Sequence, residues 1–224
     1  MPFQDRADAG RELARALAAY RGRQAIVLAL PRGGVPVAAE VASSLTAPLD
    51  LILVRKIGVP YQPELAMGAV VDGQEPLVVR NEDVIQQSGV SEASFAAVRD
   101  RELAEIQRRR ERYLGGRAHP ELKGRIVIVI DDGVATGATT RAALRAVRAQ
   151  KPKRLILAVP VAPTSTLESL GADADEIVCI EDHEPFLAIG IYYADFGQVS
   201  DEEVSEILAR FPVGSAAAVK ASSA

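Results

Sequence analysis

The stretch IVIVIDDGVATGATT, residues 126–140, decides the fold. Its first five residues are Ile and Val without polar alternation, a pattern typical of a strand that is buried on both faces of a parallel α/β sheet. Asp131 and Asp132 end this apolar run, and small residues and threonines lead from them into a helix. Ligands of open parallel sheets bind beyond the carboxyl ends of the strands, so a binding site is predicted here.

Strands and helices alternate on both sides of this stretch. The patterns predict strands over 24–30, 49–57, 125–131, 154–161 and 176–180, and helices over 6–20, 35–45, 139–149, 164–170 and 200–210. Residues 67–71 and 76–80 flank the turn sequence DGQE and are predicted to form a short hairpin. Such alternation implies a doubly wound, mostly parallel sheet, so the predicted fold class is α/β.

Length and composition bound the kind of protein. The 224 residues, 48% of them hydrophobic, predict one domain over residues 1–212, followed by a disordered tail over residues 213–224. The net charge of −4 argues against nucleic acid as the main partner. A single cysteine, Cys179, together with the lack of a signal peptide and of any apolar run near 18 residues, predicts a cytoplasmic protein that does not span a membrane.

The loop after the aspartates has the composition of a phosphate cradle. Between Gly133 and Thr140, small residues let backbone N–H groups converge, threonines add hydroxyl donors, and the N-terminus of the next helix adds a partial positive charge. Two carboxylates beside a phosphate are explained if a ribose lies between, because its hydroxyls donate hydrogen bonds to acidic side chains. The alternative is that Asp132 caps a turn and the glycines are ordinary loop residues.

The segment VIVIDDGVATGATT, residues 127–140, resembles the phosphoribosyl-pyrophosphate (PRPP) signature of the type I phosphoribosyltransferases. The resemblance implies their fold, in which a small hood lies above the sheet. It implies that Asp131 and Asp132 hold the ribose 2′- and 3′-hydroxyls. It also implies that the 5′-phosphate is wrapped by Ala135, Thr136, Gly137, Ala138, Thr139 and Thr140.

A second anion site is predicted in ALPRGGVPVAAE, residues 29–40. Arg32 supplies a fork of donors, while Gly33 and Gly34 permit a close approach of the backbone. Taken alone, this motif is also compatible with an ordinary turn between a strand and a helix. The resemblance places the pyrophosphate loop here and implies a non-proline cis peptide within it.

Arg55 and Lys56, on the next predicted strand, form a basic pair. The resemblance implies that they contact pyrophosphate and that IGVPYQPELAMGAV, residues 57–70, is a mobile loop or hairpin that closes over the reaction centre. Two cations at a strand end are otherwise often a solvated tip. Mg²⁺ is the expected cofactor, with most of its ligands supplied by PRPP and no dedicated metal ligand in the protein.

The acceptor of the reaction is not determined by the sequence. Ala135 stands where the family's 6-oxopurine enzymes commonly carry an aspartate, which argues against that subgroup. Glu64 and His183 are candidate acid–base groups, although a lone residue of either type is more often solvated. Aromatic residues of the hood segment, about residues 181–203, either stack on a heterocycle or pack the hood itself.

A long helix from Ser91 to Leu114 is predicted within an inserted arm of about residues 81–116. Its apolar stripe comprises Val98, Leu103, Ile106 and Tyr113. The remaining surface is rich in arginine, for which a homodimer contact or support of the hood is favoured over RNA binding. The wider pattern resembles bacterial phosphoribosyltransferase-domain proteins of unassigned acceptor, over about residues 5–210.

Two functions are therefore expected. The first is an enzyme that transfers the 5-phosphoribosyl group from PRPP to a small nitrogen acceptor, a nucleobase above all, with release of pyrophosphate. The alternative is a non-catalytic PRPP- or nucleotide-sensing regulatory protein on the same fold. Arg32, Arg55 and Lys56 favour the enzyme, because a sensor could lose the pyrophosphate side of the site.

Overall fold

The computed structural model of the protein describes residues 2–73 and 76–211. The predicted disordered tail, residues 213–224, and two residues of the predicted DGQE turn, Gln74 and Glu75, lie outside the described residues.

The described chain folds into two sheets and seven α-helices. The strands are β1 (Ala25–Ala29), β2 (Leu49–Leu51), β3 (Val54–Val59), β4 (Gln62–Val71), β5 (Leu77–Arg80), β6 (Ile126–Ile130), β7 (Arg154–Pro163) and β8 (Glu176–His183). The helices are α1 (Arg6–Ala16), α2 (Gly34–Leu45), α3 (Glu82–Gln87), α4 (Glu92–Leu114), α5 (Ala138–Ala149), α6 (Thr164–Leu170) and α7 (Asp201–Ala209). Short 3-10 turns cover Ala18–Tyr20 and Ile189–Tyr192.

The main sheet has five parallel strands in the order β2-β1-β6-β7-β8. Side chains of β6 alternate between two hydrophobic cores: Ile128 and Ile130 pack with α1, α2, α4 and α7, whereas Val127 and Val129 pack with α5 and α6. Because both faces are covered by helices, the central strand is apolar at every position. The predicted α/β fold with a doubly wound sheet is confirmed.

The chain leaves the main sheet earlier than the sequence predicts. The single strand predicted over 49–57 is wrong: it is divided into β2, in the main sheet, and β3, which pairs with β4 and β5 in a three-stranded antiparallel sheet. The Ile52 N–H still donates to Ala29 O, at 3.0 Å, but Leu53 O accepts from the N–H of Asp72, at 2.8 Å. Residues 51–54, where the chain passes from the main sheet to the antiparallel sheet, are all apolar and include no turn residue, so the sequence does not indicate the break.

Helix α4 has the predicted bounds. The Ser91 hydroxyl accepts from the N–H of Ser94 at 3.2 Å, and Gly115 ends the helix in the left-handed region with a φ of 52°. Of the predicted stripe, Leu103 is only partly buried, and Phe95 and Glu102 are buried as well. Helix α3 was not predicted. Within the described ranges, no helix is both long enough and apolar enough to cross a membrane.

Candidate active site

The two predicted anion loops meet at the carboxyl edge of the main sheet, because β1 and β6 are neighbouring parallel strands. A Cβ atom at Gly33 would lie 2.0 Å from Oδ2 of Asp132, and one at Gly34 would lie 2.8 Å from Ile130 O. Glycine is therefore required at both positions by close approach of the facing strand end. The peptide between Pro31 and Arg32 is cis, as the resemblance implies.

A cleft opens beside these loops. It is lined by Leu30, Pro31, Leu53, Val54, Arg55, Arg109, Asp131 and Thr139. The cleft thus brings together three segments that were each predicted to belong to the site. They are the end of β1 before Arg32, the start of β3 with Arg55, and the stretch from Asp131 to Thr139. Arg109, from the middle of α4, was not predicted to belong to the site.

Asp131 faces this cleft. Its Oδ1 accepts from the N–H of Asp132 at 2.9 Å, so the local backbone holds the carboxyl group in place. Desolvation, followed by the charge of the neighbouring Asp132, raises the pKa of Asp131 well above its ordinary value. A carboxyl group whose charge the fold does not neutralise is suited to accept hydrogen bonds from a ligand.

Asp132 is held differently from its neighbour. Its Oδ2 accepts from Nε of Arg6 at 2.7 Å, and both side chains are nearly buried. Arg6 also donates to Gly197 O at 2.7 Å, and its guanidinium lies 3.9 Å from the centre of the Phe196 ring. Sequence reasoning missed Arg6; the available signal is a cation in the first turn of α1, where the helix dipole disfavours it.

The predicted phosphate loop runs from Ala135 to Thr140. Gly137 precedes α5 with a φ of 74°, and the first hydrogen bond of the helix runs from the Arg141 N–H to Gly137 O at 2.8 Å. The N–H groups of Ala138, Thr139 and Thr140 therefore have no partner within the helix. Of the six predicted residues, Ala135, Thr136, Ala138 and Thr139 are exposed, whereas Gly137 and Thr140 are buried.

Arg55 and Lys56 do not act as a pair, because neighbouring residues of a strand point to opposite faces. Arg55 lies against the cleft, and two of its nitrogens contact Oε2 of the buried Glu102, at 2.9 Å from Nε and 2.8 Å from Nη2. Lys56 faces away and pairs with the exposed Glu64 at 3.0 Å. Neither Lys56 nor Glu64 lines the cleft.

Arg32 does not line the cleft and pairs weakly with Asp201 at 3.5 Å. Asp201 is fixed from α4, since it accepts from the Tyr113 hydroxyl at 2.5 Å and pairs with Arg112 at 2.6 Å. The Tyr113 hydrogen bond and the charge of Arg112 lower the pKa of Asp201, although burial opposes them. Desolvation and the bond to Asp201 raise the pKa of Tyr113 to about 12.

The hood aromatics pack mainly on one another. The Tyr192 ring stacks on His183, with ring centres 4.5 Å apart, and on Phe186, with ring centres 5.1 Å apart. Tyr193 is buried and donates to Asp132 O at 2.5 Å. His183 pairs with Glu181 at 3.1 Å and does not line the cleft. The observed packing thus favours the expectation that these rings form the hood core.

The part of the chain that the structure describes contains no group of three or more His, Cys, Asp or Glu side chains arranged to hold a metal ion. Cys179 is partly buried, and desolvation raises the pKa of its thiol to about 11.

Comparison with known proteins agrees with this geometry. A family model described as "Phosphoribosyl transferase domain" matches residues 3–189. Two curated proteins from Mycobacterium tuberculosis, strains CDC 1551 and H37Rv, are each named "Putative phosphoribosyl transferase" and are 48% identical over 208 residues. The match covers 93% of this chain and 46% of each relative, so the chain spans about half the length of the curated relatives it matches.

One solved structure is similar over nearly its whole length. The crystal structure of TT1426 from Thermus thermophilus is 43% identical, with a TM-score of 0.81. The match covers 94% of this chain and 99% of that one.

Proposed function

Because the chain belongs to the phosphoribosyl transferase domain family, we propose that it transfers the 5-phosphoribosyl group from PRPP to a small nitrogen acceptor and releases pyrophosphate. A nucleobase is the acceptor class that we favour. The chain covers about half of its curated relatives, so the activity proposed is that of this domain.

The observation that carries the proposal is the meeting of the two anion loops. The carboxylate of Asp132 lies directly over Gly33, and Asp131, Arg55 and Thr139 line the cleft beside them. In such a site the carboxylates can accept from hydroxyl groups, and the helix N-terminus and the arginine can each bind a phosphate group. A matching ligand therefore carries hydroxyls between two phosphate groups. PRPP has its ribose diol between a 5′-phosphate and a pyrophosphate, in this order.

The binding roles follow from this match. We assign the ribose hydroxyls to Asp131 and Asp132, the 5′-phosphate to the loop from Ala135 to Thr140, and the pyrophosphate to the Arg32-Gly33-Gly34 loop and Arg55. Asp132 would accept a hydrogen bond from a ribose hydroxyl, while Arg6 keeps its hydrogen bond to Gly197 O. Lys56 would reach the substrate only if the β3–β4 hairpin closes over the cleft, and such closure would exclude water from the reacting carbon.

Mg²⁺ fits the proposed site as a companion of the substrate. Its preferred ligands are oxygen atoms, which PRPP supplies in its pyrophosphate and hydroxyl groups, and the cleft beside Asp131 leaves such an ion in an acidic surrounding. When bound, the ion would neutralise part of the charge on the departing pyrophosphate.

The proposal extends to the state of the protein: a cytoplasmic homodimer with no nucleic-acid partner. Most of the arginines of α4 are already paired within the chain, including Arg108 and Arg109 with Glu105 and Arg112 with Asp201. These internal pairs reduce the charge available to an RNA backbone.

The test is a screen for pyrophosphate release. The protein is incubated with PRPP and Mg²⁺, with or without each member of a panel of nucleobases and other nitrogen nucleophiles. We expect one acceptor to raise pyrophosphate release well above the rate without acceptor, and the same acceptor to have no such effect on the Asp131→Asn variant. If no acceptor raises the rate and the protein does not bind PRPP, the proposal is wrong.

A non-catalytic sensor of PRPP or a nucleotide is the second candidate. It is favoured by one observation: Glu64 and His183, the acid–base candidates for the acceptor, both lie outside the cleft. A sensor would be stabilised against heat by PRPP and Mg²⁺, as the enzyme would, but would release no pyrophosphate with any acceptor. The same screen, run beside a thermal-shift measurement, therefore separates the two functions.

A further inference from the structure

Charged residues share the inner face of helix α4 with apolar ones. Phe95, Val98, Ile106 and Tyr113 are buried at helical spacing and hold the helix on the domain. Positions 102 and 109 continue the same stripe with Glu102 and Arg109. Charged residues on an inward face need a partner or a ligand, because moving a charge out of water is costly.

Glu102 has such a partner within the chain. Its side chain is 9% exposed, and its Oε2 receives both contacts from Arg55. The carboxylate thereby fixes the guanidinium of Arg55 at the wall of the cleft.

Arg109 is about one-third exposed and has one ion pair among the described residues. Its Nε donates to Oε1 of Glu105 at 2.8 Å, one turn earlier on the same helix, and its side chain lines the cleft with Arg55 and Asp131. Over residues 2–73 and 76–211, its two Nη atoms have no hydrogen-bond partner. An arginine has five N–H donors, so four donors of Arg109 remain for a ligand in the cleft.

The arginines on either side of Arg109 in sequence have different surroundings. Arg108 is more than half exposed and shares Glu105 from the solvent side, through Nε at 2.7 Å. Arg110 turns inward and pairs with the buried Asp72 at 2.9 Å. Among these three consecutive arginines, Arg109 alone lines the cleft.

We propose that Arg109 is a further ligand of the pyrophosphate group, supplied by the inserted helix α4; this assignment rests on the proposed function. Pyrophosphate carries several negative charges, and a guanidinium binds phosphate oxygens through two parallel hydrogen bonds. Arg109 joins Arg32 and Arg55 on the pyrophosphate side. Each of the three is held by one carboxylate, from Asp201 for Arg32, Glu102 for Arg55 and Glu105 for Arg109.

The experiment compares Arg109→Gln with Arg108→Gln. Both changes remove one arginine from the same helix and one ion pair from the same Glu105, but only Arg109 reaches the cleft. Calorimetry with pyrophosphate and Mg²⁺, and separately with ribose 5-phosphate, measures the two ends of the substrate. We expect Arg109→Gln to weaken pyrophosphate binding about tenfold and ribose 5-phosphate binding less than about twofold, with Arg108→Gln near wild type for both.

Arg109→Lys restores the charge without the fork and should recover part of the lost affinity for pyrophosphate. Equal pyrophosphate affinity of Arg109→Gln and Arg108→Gln would overturn the inference while leaving the proposed function standing. Equal losses for pyrophosphate and ribose 5-phosphate would also overturn it, since they would point to a damaged fold. A wild-type protein that binds neither ligand would refute the proposed function and this assignment together.

Discussion

Two pairs of aspartates lie in the protein, and the fold treats them in opposite ways. Asp131 and Asp132 lie at the cleft, where one cation, Arg6, forms an ion pair with Asp132. The other pair, Asp50 and Asp72, is buried between the edge of the main sheet and the antiparallel sheet, with 1% and 7% of their surfaces exposed. The first pair is short of cations among the described residues, whereas the second pair is not.

The interior pair is closed by His119 and Arg110. The imidazole lies between the carboxylates, with Nδ1 3.5 Å from Asp50 and Nε2 3.4 Å from Asp72. Arg110 reaches the other oxygen of Asp72 at 2.9 Å. Burial alone would lower the pKa of His119, but the hydrogen bonds of Asp50 and Asp72 outweigh it and raise the pKa to about 9.

With His119 protonated, as its raised pKa predicts at neutral pH, the interior cluster holds two carboxylates and two cations, although Nη1 of Arg110 lies 3.0 Å from Nδ1 of His119. Its formal charges therefore balance without any molecule from outside, although among the described residues neither oxygen of Asp50 nor Nε2 of His119 has a hydrogen-bond partner. At the cleft, Asp131 keeps a raised pKa, and the nearby Arg55 and Arg109 are turned to other carboxylates. Paired aspartates alone therefore do not identify a binding site. What distinguishes the two regions is whether the cations of the chain balance the carboxylates, as they do in the interior cluster and do not at the cleft.

The largest effect is expected from opening the interior cluster. Arg110→Gln leaves the buried Asp72 with one charged partner, His119, besides the N–H of Gly73, and removing one member of a buried ion pair costs about 3–5 kcal/mol of stability. Urea denaturation measures this loss. Arg108→Gln, two residues away and exposed, should leave stability close to that of the wild type. If Arg110→Gln is as stable as this control, the interior cluster does not hold the fold together.

The second prediction concerns the pH dependence of the same cluster. Because the pKa of His119 is raised from 6.5 to about 9, its contribution is complete below pH 6.5 and is lost as the pH rises through 9. That contribution amounts to at most about 3 kcal/mol. The difference in unfolding free energy between the wild type and His119→Gln should therefore shrink between pH 6.5 and 10. A difference that is constant over this range would show that His119 is neutral in the folded protein.

The third prediction turns to the cleft, where the same kind of change should act on binding. Asp131→Asn removes a charged acceptor for a ribose hydroxyl, which costs roughly 1.5–3 kcal/mol, so PRPP affinity should fall at least tenfold. Since folding raises the pKa of Asp131, its charge destabilises the folded state at neutral pH. Stability should therefore stay constant or rise. Calorimetry with PRPP and Mg²⁺, together with urea denaturation, checks both, and unchanged affinity would sink the assigned role.

The sequence predicted those parts of the fold and site that depend on local patterns. The strand over Ile126–Ile130 is apolar at every position because both faces are covered, and Gly33 and Gly34 mark a close approach that only glycine permits. The opposite orientations of Arg55 and Lys56 could also have been derived, because side chains alternate along any strand.

Contacts between distant parts of the chain could not be predicted in this way. Arg6 meets Asp132 across 126 positions, and nothing near either residue in the sequence indicates the other. Arg108, Arg109 and Arg110 are consecutive and identical in sequence. On the helix, however, Arg108 is exposed to solvent, Arg109 lines the cleft and Arg110 contacts the buried Asp72. Their destinations depend on what packs against each face of α4, which a single sequence does not show.

The smallest effect, and the finest test of the comparison, is expected at Asp132. This residue combines features of both regions, since it lies at the cleft but already has a cation, Arg6, at 2.7 Å. Asp132→Asn keeps an oxygen that can accept from Arg6 and loses only the charge, so stability should fall by about 1 kcal/mol.

The sign of this change matters more than its size. Asp131→Asn is expected to leave stability constant or higher, whereas Asp132→Asn, one residue away and chemically identical, is expected to lower it. Urea denaturation of the two variants side by side measures that contrast, with Arg6→Gln as the control that should lose stability as Asp132→Asn does. If both aspartate variants change stability in the same direction, the presence of a partner cation does not distinguish the two carboxylates. The contrast between charge-balanced and unbalanced aspartates would then fail at the proposed site.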